Sequence, residues 1–242
     1  MANFYLVEEL AAPAVGGTVA IAGAEAKHVA TVSRTRVGER MLIGNGRGLV
    51  VDGVAESVAP AEVIVRVEGV RVADAPTPAI RLVQALAKGD RDELAIQAAT
   101  ELGVDGVVPW QAERSVSRWS GPKLEKGRER WASIVREAAK QSMRPWLPEV
   151  AELVATHDIA AAAATQRVLV LEPTAGHPLT AVEPDGRDLL LVVGPEGGIA
   201  PGELDALQAA GAELVRLGPE VLRTSTAGPS AIAVLNARLG RW

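Results

Sequence analysis

Two glycine-bearing segments near the carboxyl end carry the residue types best suited to hold a small ligand. The apolar run 189–193 leads into Gly194-Pro195-Glu196-Gly197-Gly198, and further along the chain Leu217-Gly218 precedes Val221 to Ala227. Each pattern predicts a buried strand that ends in a sharp turn before a helix. Because open α/β sheets bind ligands at such strand ends, the two turns predict one shared site.

The residue types in these turns narrow the kind of ligand. Glycine lets backbone groups approach a ligand closely, so two strand-end loops could hold an adenosine from both sides. The pattern argues against a triphosphatase site, because no Lys-Ser or Lys-Thr follows Gly198 to complete a phosphate-binding loop. A purely structural turn, with glycines chosen for positive φ, stays open as the alternative.

Composition sets limits on the chemistry and the location. The 242 residues, 48% of them hydrophobic, suffice for one large domain or two ordinary ones. The absence of cysteine excludes disulfides, thiolate metal sites and a cysteine nucleophile, and His28, His157 and His177 have no metal-ligand spacing. No apolar run approaches the roughly 20 residues that span a bilayer. We therefore expect a soluble cytoplasmic protein with no metal and no membrane partner.

The charge is unevenly distributed. The net charge is −5, yet residues 113–144 contain nine basic and four acidic residues. Four tryptophans lie in or beside this segment: Trp110, Trp119, Trp131 and Trp146. Cations interleaved with aromatic rings suit phosphate neutralisation and base stacking. Taken alone, the pattern instead favours a solvated amphipathic helix over about 122–141, with Trp131, Ile134 and Ala138 packed on the core.

The amino-terminal part of the chain is predicted to be a small β-barrel. Alternating runs at 40–43, 49–54 and 62–70 are separated by glycine turns, and Gly44–Gly48 is a hairpin turn because another strand follows it. Residues 74–78 (Asp-Ala-Pro-Thr-Pro) form a stiff joint, since proline fixes φ and restricts the preceding residue. The predicted domains are therefore 1–73 and 74–242.

The second domain is predicted to be an α/β domain with a mostly parallel sheet, because strand and helix patterns alternate. The predicted strands are 80–86, 104–109, 167–171, 189–193 and 213–217. The predicted helices are 90–102, 122–141, 158–164, 201–211 and one that begins near Thr226. Asp90 is predicted to cap the first of these helices, and Pro229 to fall in the first turn of the last.

In combination, these residues resemble the ribosomal RNA small subunit methyltransferase E family, the 16S rRNA uridine N3-methyltransferases of the SPOUT class. The two glycine segments look like the cofactor-binding end of that family. Further blocks resemble it in the same order along nearly the whole chain: His28, Val32 to Arg36 with Gly38, Lys88-Gly89-Asp90-Arg91, Thr100 to Val104, Glu113-Arg114-Ser115, Arg130-Trp131, Glu137-Ala138, Gln141-Ser142 and Leu147 to Val150. One position departs from the family pattern. Ser225 stands where an acidic residue is common, so no role of that carboxylate carries over.

The resemblance implies a fold, a cofactor and an assembly. It implies a deep trefoil knot within 74–242, a rare exception to unknotted topology, and a PUA-like RNA-binding barrel within 1–73. It also implies a homodimer and S-adenosylmethionine held in the knot loops. The matching cofactor positions are Leu171, Glu172, Gly194, Pro195, Glu196, Gly197, Leu217, Gly218, Leu222, Arg223, Thr224, Thr226 and Ala227.

The implied activity is methylation of N3 of a specific uridine in 16S ribosomal RNA, free or in the small subunit. The lack of cysteine agrees, because methylation of pyrimidine C5 usually needs a cysteine nucleophile. Our hypothesis is that Arg223 stabilises the developing uridine anion while Glu196 or a water accepts the proton, although Glu196 could instead only hold its own turn. The RNA-binding candidates are His28, Arg34, Arg36, Lys88, Arg114 and Arg144.

Two other functions stay open at this point. The chain could be a non-catalytic RNA-binding factor for ribosome assembly, which would not bind S-adenosylmethionine tightly. It could also be a knotted methyltransferase that acts on a ribose 2'-oxygen or a guanine nitrogen.

Overall fold

The computed structural model describes residues 3–242, which divide into two compact units. The first unit contains the chain up to Ala75 together with Ala139–Leu147. The second contains Pro76–Ala138 and Pro148–Trp242. Across the described residues, no helix combines the length and apolar character needed to cross a membrane.

The first unit is built on a five-stranded mixed sheet with the order β1-β3-β4-β5-β2. Its strands are β1 (Asn3–Leu6), β2 (Thr18–Ala22), β3 (Arg40–Gly44), β4 (Leu49–Val58) and β5 (Glu62–Val72). Strands β1 and β3 are parallel, and the other pairs are antiparallel. The three predicted strands are present, but β1 and β2 were not predicted. Helix α1 (Gly23–Lys27) follows β2 and continues into a π-helical turn, His28–Val32.

The hairpin turn between β3 and β4 is confirmed, and a side chain stabilises it. The Asn45 Oδ1 atom accepts hydrogen bonds from the backbone N–H groups of Arg47 at 2.8 Å and Leu49 at 3.1 Å. Gly46 and Gly48 adopt φ values of 70° and 92°, which L side chains rarely tolerate. These hydrogen bonds and glycines together fix the conformation of the turn.

The segment Ala139–Leu147 packs on this hairpin turn. The Trp146 indole N–H donates to the Ala73 carbonyl at 2.9 Å, and a Cβ at Gly48 would lie 3.0 Å from the Trp146 ring. The buried Lys140 forms an ion pair with the half-buried Glu25, with Nζ 3.1 Å from Oε1. Residues distant in the sequence are thus part of the first unit's core.

The second unit is built on a seven-stranded sheet in which all neighbouring strands are parallel, in the order β10-β12-β9-β11-β6-β7-β8. Its strands are β6 (Ile80–Ala85), β7 (Gly106–Trp110), β8 (Glu149–Val150), β9 (Arg167–Leu171), β10 (His177–Pro178), β11 (Leu189–Val193) and β12 (Glu213–Arg216). Its helices are α2 (Arg91–Glu101), α4 (Thr156–Ala162), α5 (Pro201–Ala209), α6 (Thr224–Arg238) and α3 (Pro122–Gln141) up to Ala138, with a 3-10 turn at Leu179–Ala181. The predicted α/β class and mostly parallel sheet are confirmed.

Burial explains why the central strands of this sheet were recognisable in the sequence, whereas the two-residue strands β8 and β10 were not predicted. All five residues of β11 are buried, because the strand lies between β9 and β6 and both its faces are covered. Helices α2 and α6 pack against each other, and α6 also contacts β6 and β11. A Cβ at Gly228 of α6 would lie 3.0 Å from Leu82 of β6, so this glycine allows the helix to approach the sheet closely.

Two local predictions about helix ends are wrong. Asp90 is at the N-cap position of α2, but it adopts φ 60° and its side chain makes no capping hydrogen bond. Asp92, the second residue of the helix, accepts the Ala87 N–H instead. Pro229 is the sixth residue of α6 rather than a first-turn residue, because the helix begins at Thr224. At that position the missing N–H removes an intrahelical hydrogen bond.

Candidate active site

The carboxyl ends of three neighbouring strands surround a pocket of about 560 Å³. Strands β9, β11 and β12 are parallel, so the loops that follow Leu171, Val193 and Arg216 emerge at the same edge of the sheet. Helix α6 begins at this pocket with Arg223 and Thr224. The two glycine segments therefore do line a single pocket.

The pocket contains nearly every position implied for the cofactor. Twelve of the thirteen lie in its wall: Leu171, Glu172, Gly194, Pro195, Glu196, Gly197, Leu217, Gly218, Leu222, Arg223, Thr224 and Ala227. Thr226 is not in the wall and is exposed on α6. Further lining residues were not predicted, among them Arg91, Pro173, Ile199, Arg216 and Glu220. Arg91 had a signal in the sequence, because it belongs to one of the blocks that resemble the family.

The turn after β11 is shaped by two of its glycines. The Gly198 N–H donates to the Pro195 carbonyl at 2.9 Å, and Gly198 adopts φ 72°. At Gly194 a Cβ would lie 2.6 Å from Cγ1 of Ile199. Only glycine fits both positions without displacement, so the turn exposes backbone to the pocket.

The Glu196 carboxylate is hydrogen-bonded to other residues of the protein. Its Oε1 atom accepts hydrogen bonds from the Lys88 N–H and from Nη1 of Arg91, both at 2.9 Å. Partial burial alone would raise the pKa of the Glu196 carboxyl. The hydrogen bonds from its own backbone, from Lys88 and from Arg91, with the Arg91 charge, outweigh burial and hold the pKa below its usual value. A carboxylate with a lowered pKa is a weak base, which favours the turn-holding role.

A buried chain of hydrogen bonds joins the two halves of the pocket. The Gln84 Nε2 atom in β6 donates to Oγ1 of Thr224 at 2.8 Å, and that hydroxyl donates to the Gly194 carbonyl at 2.8 Å. Gln84 is fully buried and was not predicted. Its signal in the sequence was an amide among the apolar residues that end β6, Leu82, Val83 and Ala85. The Thr224 hydroxyl is thus committed to holding the loops together.

Three arginines line this pocket: Arg91, Arg216 and Arg223. Arg91 is paired with Glu196, whereas within residues 3–242 the Arg223 guanidinium has no hydrogen-bond or ion-pair partner. The backbone carbonyl of Arg223 accepts the N–H groups of Thr226 and Ala227 at the start of α6. The helix start therefore holds the residue while its side chain is free to bind an anion.

The RNA-binding candidates are divided between the two units. In the first unit, Arg34 and Arg36 are exposed after the π-helical turn, His28 has an edge-to-face contact with Tyr5, and Arg144 is half-buried. In the second unit, Lys88 and Arg114 are exposed. Arg114 also donates to the Gly197 carbonyl at 3.2 Å, so it supports the turn beside the pocket.

The four tryptophans of the basic segment have different surroundings, and two of them, Trp119 and Trp131, are in ring contact. Trp110 and Trp131 are buried, Trp146 packs on the hairpin turn, and Trp119 is half-buried. Helix α3 spans the predicted residues and buries Trp131 and Ala138, but Val135 is buried where Ile134 is only half-buried. The amphipathic interpretation of this helix is therefore correct, with a slightly different buried face.

Comparison with known proteins adds to this geometry. An RNA methyltransferase domain model matches residues 74–236. Ribosomal RNA small subunit methyltransferase E of Mycobacterium bovis is 41% identical over 251 residues, with 100% of this chain and 94% of the relative covered.

Two solved structures resemble the whole chain. The first is ribosomal RNA small subunit methyltransferase E from Neisseria gonorrhoeae bound to S-adenosylmethionine, with a TM-score of 0.87, 25% identity and 98% of each chain covered. The second is a methyltransferase from Legionella pneumophila in complex with S-adenosylmethionine, with a TM-score of 0.85, 29% identity and 98% of each chain covered. The chain therefore belongs to the ribosomal RNA small subunit methyltransferase E family, within the RNA methyltransferase domain family.

Proposed function

We propose that the protein methylates N3 of a specific uridine in 16S ribosomal RNA and takes the methyl group from S-adenosylmethionine. The observation that carries the proposal is the unpaired Arg223 guanidinium, within the described residues 3–242, in the wall of a glycine-lined pocket at the strand ends. The test is to incubate the protein with small ribosomal subunits and labelled S-adenosylmethionine, then locate the label by mass mapping of the RNA. Label on a ribose oxygen, on a guanine or on no nucleotide would contradict the proposal.

The residues present fit the cofactor. A volume of about 560 Å³ is in the range of cofactor pockets, and a Cβ at Gly194 would collide with Ile199 at the pocket wall. Gly194, Gly197 and Gly218 would hold the adenosyl group through their backbone, and Leu171, Leu217 and Leu222 would supply apolar contacts. When bound there, S-adenosylmethionine supplies an electrophilic methyl group.

The chain's own residues would prepare the nucleophile. Uracil N3 carries a proton, and its loss leaves a negative charge that the Arg223 guanidinium can stabilise. Because Glu196 already accepts two hydrogen bonds and its pKa is lowered, we assign the proton to water and Glu196 to the support of the turn. The walls of the pocket would align the two reactants and exclude bulk water.

Replacing Glu196 by glutamine tests this assignment. We expect the rate of methyl transfer to fall by less than about tenfold, whereas loss of a general base would cost about 100-fold or more in rate.

The same substitution should affect stability. Because the pKa of the Glu196 carboxyl is lowered in the folded state, the ionised carboxyl stabilises the fold above the pKa of a glutamate in the unfolded chain, about 4.3. This contribution is lost as the pH falls through the folded pKa.

Thermal unfolding across pH provides the second measurement for this variant. The wild-type protein should have a higher Tm than E196Q near pH 7, and the difference should shrink below about pH 4. If the variant instead transferred methyl groups about 100-fold more slowly and kept the wild-type Tm at both pH values, Glu196 would be restored as the base.

The finer features of the fold and the partners belong to the same proposal. We infer a trefoil knot in residues 74–242, because the loops after β11 and β12 line one pocket, as knot loops would. We also infer a PUA-like RNA-binding unit in 1–73, which the mixed sheet β1-β3-β4-β5-β2 supports, and a homodimer. Because the proposed substrate is ribosomal, we also infer a cytoplasmic location.

Arg36 provides a test of RNA binding by the first unit. Arg36 is exposed and, within residues 3–242, its guanidinium has no partner, so it is available for a phosphate. Changing Arg36 to alanine should reduce the slope of log K against log salt by about 0.7–0.9. The measurement is a filter-binding titration of a 16S RNA fragment at several salt concentrations.

Arg66→Ala is the matched control for this titration. Arg66 is also exposed in the first unit, but it pairs with Glu56 at 3.0 Å and Glu68 at 3.8 Å. The control should leave the slope unchanged. Equal slopes for wild type and Arg36→Ala would remove Arg36 from the RNA-binding surface.

A further inference from the structure

A second pocket, of about 360 Å³, lies at the ends of β6 and β7 in the second unit. Its wall includes the loop Ala87 to Glu93, the segment around Trp119, and part of α3. The loop is shared with the first pocket, because Arg91 lines that pocket and the Lys88 N–H is bonded to Glu196. A ligand in the second pocket would therefore lie beside the proposed methyl-transfer site.

Trp119 is held in place as an aromatic wall of this pocket. A Cβ at Gly127 of α3 would lie 2.4 Å from Cε2 of Trp119, so only a glycine lets the ring rest on the helix. Trp131 contacts the ring edge to face, with centroids 5.4 Å apart and an interplanar angle of 76°. The Trp119 backbone N–H donates to Oε1 of Gln111 at 3.2 Å. Glycine lowers the stability of a helix, and here Gly127 leaves the space that the Trp119 indole occupies.

The polar groups of the pocket combine carboxylates with cations. Asp92 is 6% exposed, and burial raises the pKa of its carboxyl against the opposing hydrogen bonds from the Ala87 and Glu93 N–H groups. The Glu93 Oε2 atom accepts from Nε and Nη2 of Arg130 at 3.1 and 2.8 Å. Lys88 also lines the pocket and is exposed. The site thus offers hydrogen-bond acceptors and donors beside a flat ring.

This arrangement complements guanine better than uracil. Guanine has two adjacent donors, N1–H and the 2-amino group, next to the acceptor O6, which match carboxylate oxygens and a neighbouring cation. The uracil edge has two carbonyl acceptors around a single N–H, so carboxylates repel it. Unpaired RNA bases are commonly recognised by stacking on aromatic side chains together with hydrogen bonds to this edge.

We infer that the second pocket binds an unstacked guanine of the RNA substrate, at a nucleotide other than the methylated uridine. The inference rests on the proposed function, since it extends the RNA contact of the same site. Binding of this guanine against the loop Ala87 to Glu93 would help to fix the register of the RNA at the first pocket.

The test is a titration of the protein with GMP, followed through the tryptophan indole N–H signals by NMR with saturating S-adenosylmethionine. The Trp119 signal is assigned with Trp119→Phe. We expect GMP to shift the Trp119 signal, IMP, which lacks the 2-amino group, to bind about tenfold more weakly, and UMP to cause no shift. Equal shifts with GMP and UMP would overturn the inference, because both carry the same ribose phosphate.

Two variants localise the site. Gly127→Ala displaces the Trp119 ring while it improves the helix propensity of α3, and it should weaken GMP binding about tenfold. Trp242→Phe is the control, since Trp242 is exposed and lines neither pocket. Unchanged GMP affinity in Gly127→Ala would overturn the inference.

S-adenosylmethionine affinity, measured by calorimetry, should be the same in the wild type, Gly127→Ala and Trp242→Phe. A wild-type protein that binds no S-adenosylmethionine would instead refute the proposed function.

Discussion

Changing Arg223 to alanine is expected to slow methyl transfer by about 100- to 1,000-fold, the usual effect of removing a group that stabilises charge in the transition state. The guanidinium lines the pocket and has no partner within residues 3–242, so its loss leaves no buried carboxylate unpaired. The backbone carbonyl that accepts the first N–H groups of α6 is unchanged by the substitution. Single-turnover methylation of small subunits is the measurement.

Controls separate chemistry from folding in this experiment. S-adenosylmethionine affinity and Tm of Arg223→Ala should stay close to the wild-type values. Arg223→Lys keeps the positive charge without the planar donor fork, so it should recover part of the methylation rate. Full activity in Arg223→Ala would reject the assigned role, and an equal loss of cofactor affinity would assign Arg223 to cofactor binding instead.

Replacing Thr224 by valine is expected to destabilise the fold by about 1–3 kcal/mol, because the Gln84 amide loses a partner in a fully buried position. The Gly194 carbonyl loses its hydrogen bond as well, so the turn after β11 should loosen. We expect weaker S-adenosylmethionine binding in addition to the lower stability. Urea unfolding gives the first effect, and calorimetry gives the second.

Thr226→Val is the matched control for this substitution. Thr226 is two residues away on the same helix, exposed and outside the pocket wall, so its effect should stay within about 0.5 kcal/mol. The double variant Gln84→Leu with Thr224→Val removes both polar partners and should regain part of the stability but not the cofactor affinity. Equal stabilities of the Thr224→Val and Thr226→Val proteins would show that the buried chain contributes little.

The sequence predicted the elements of the second unit well where burial is extreme. Strands β9 and β11 begin and end at the predicted residues, because both are apolar runs flanked by polar or turn residues. The capping of α2 was mispredicted because Asp90 adopts a left-handed backbone conformation, φ 60°, which the residue type alone does not reveal. The hydrogen bond to the preceding loop is instead made by Asp92, inside the helix.

The sequence identified most residues of the pocket, but it did not reveal which contacts determine the role of each. The turn at Gly194 and the segment from Leu217 to Ala227 were identified because glycine and strand-end position are local features. The bond between Gln84 and Thr224 joins positions 140 residues apart, which no local pattern can reveal. Similarly, Glu196 is recognisable as a pocket residue, but its low basicity depends on Lys88 and Arg91, which come from a different strand end.

The packing of Ala139–Leu147 on the first unit limits how the protein can be dissected. Met143 and Leu147 cover an apolar cluster of Phe4, Leu6 and Val50. A fragment that stops at residue 75 would leave this cluster in water and would make a poor isolated module for RNA studies. Dissection of the first unit would require residues 139–147 to be supplied as a graft or as a separate peptide.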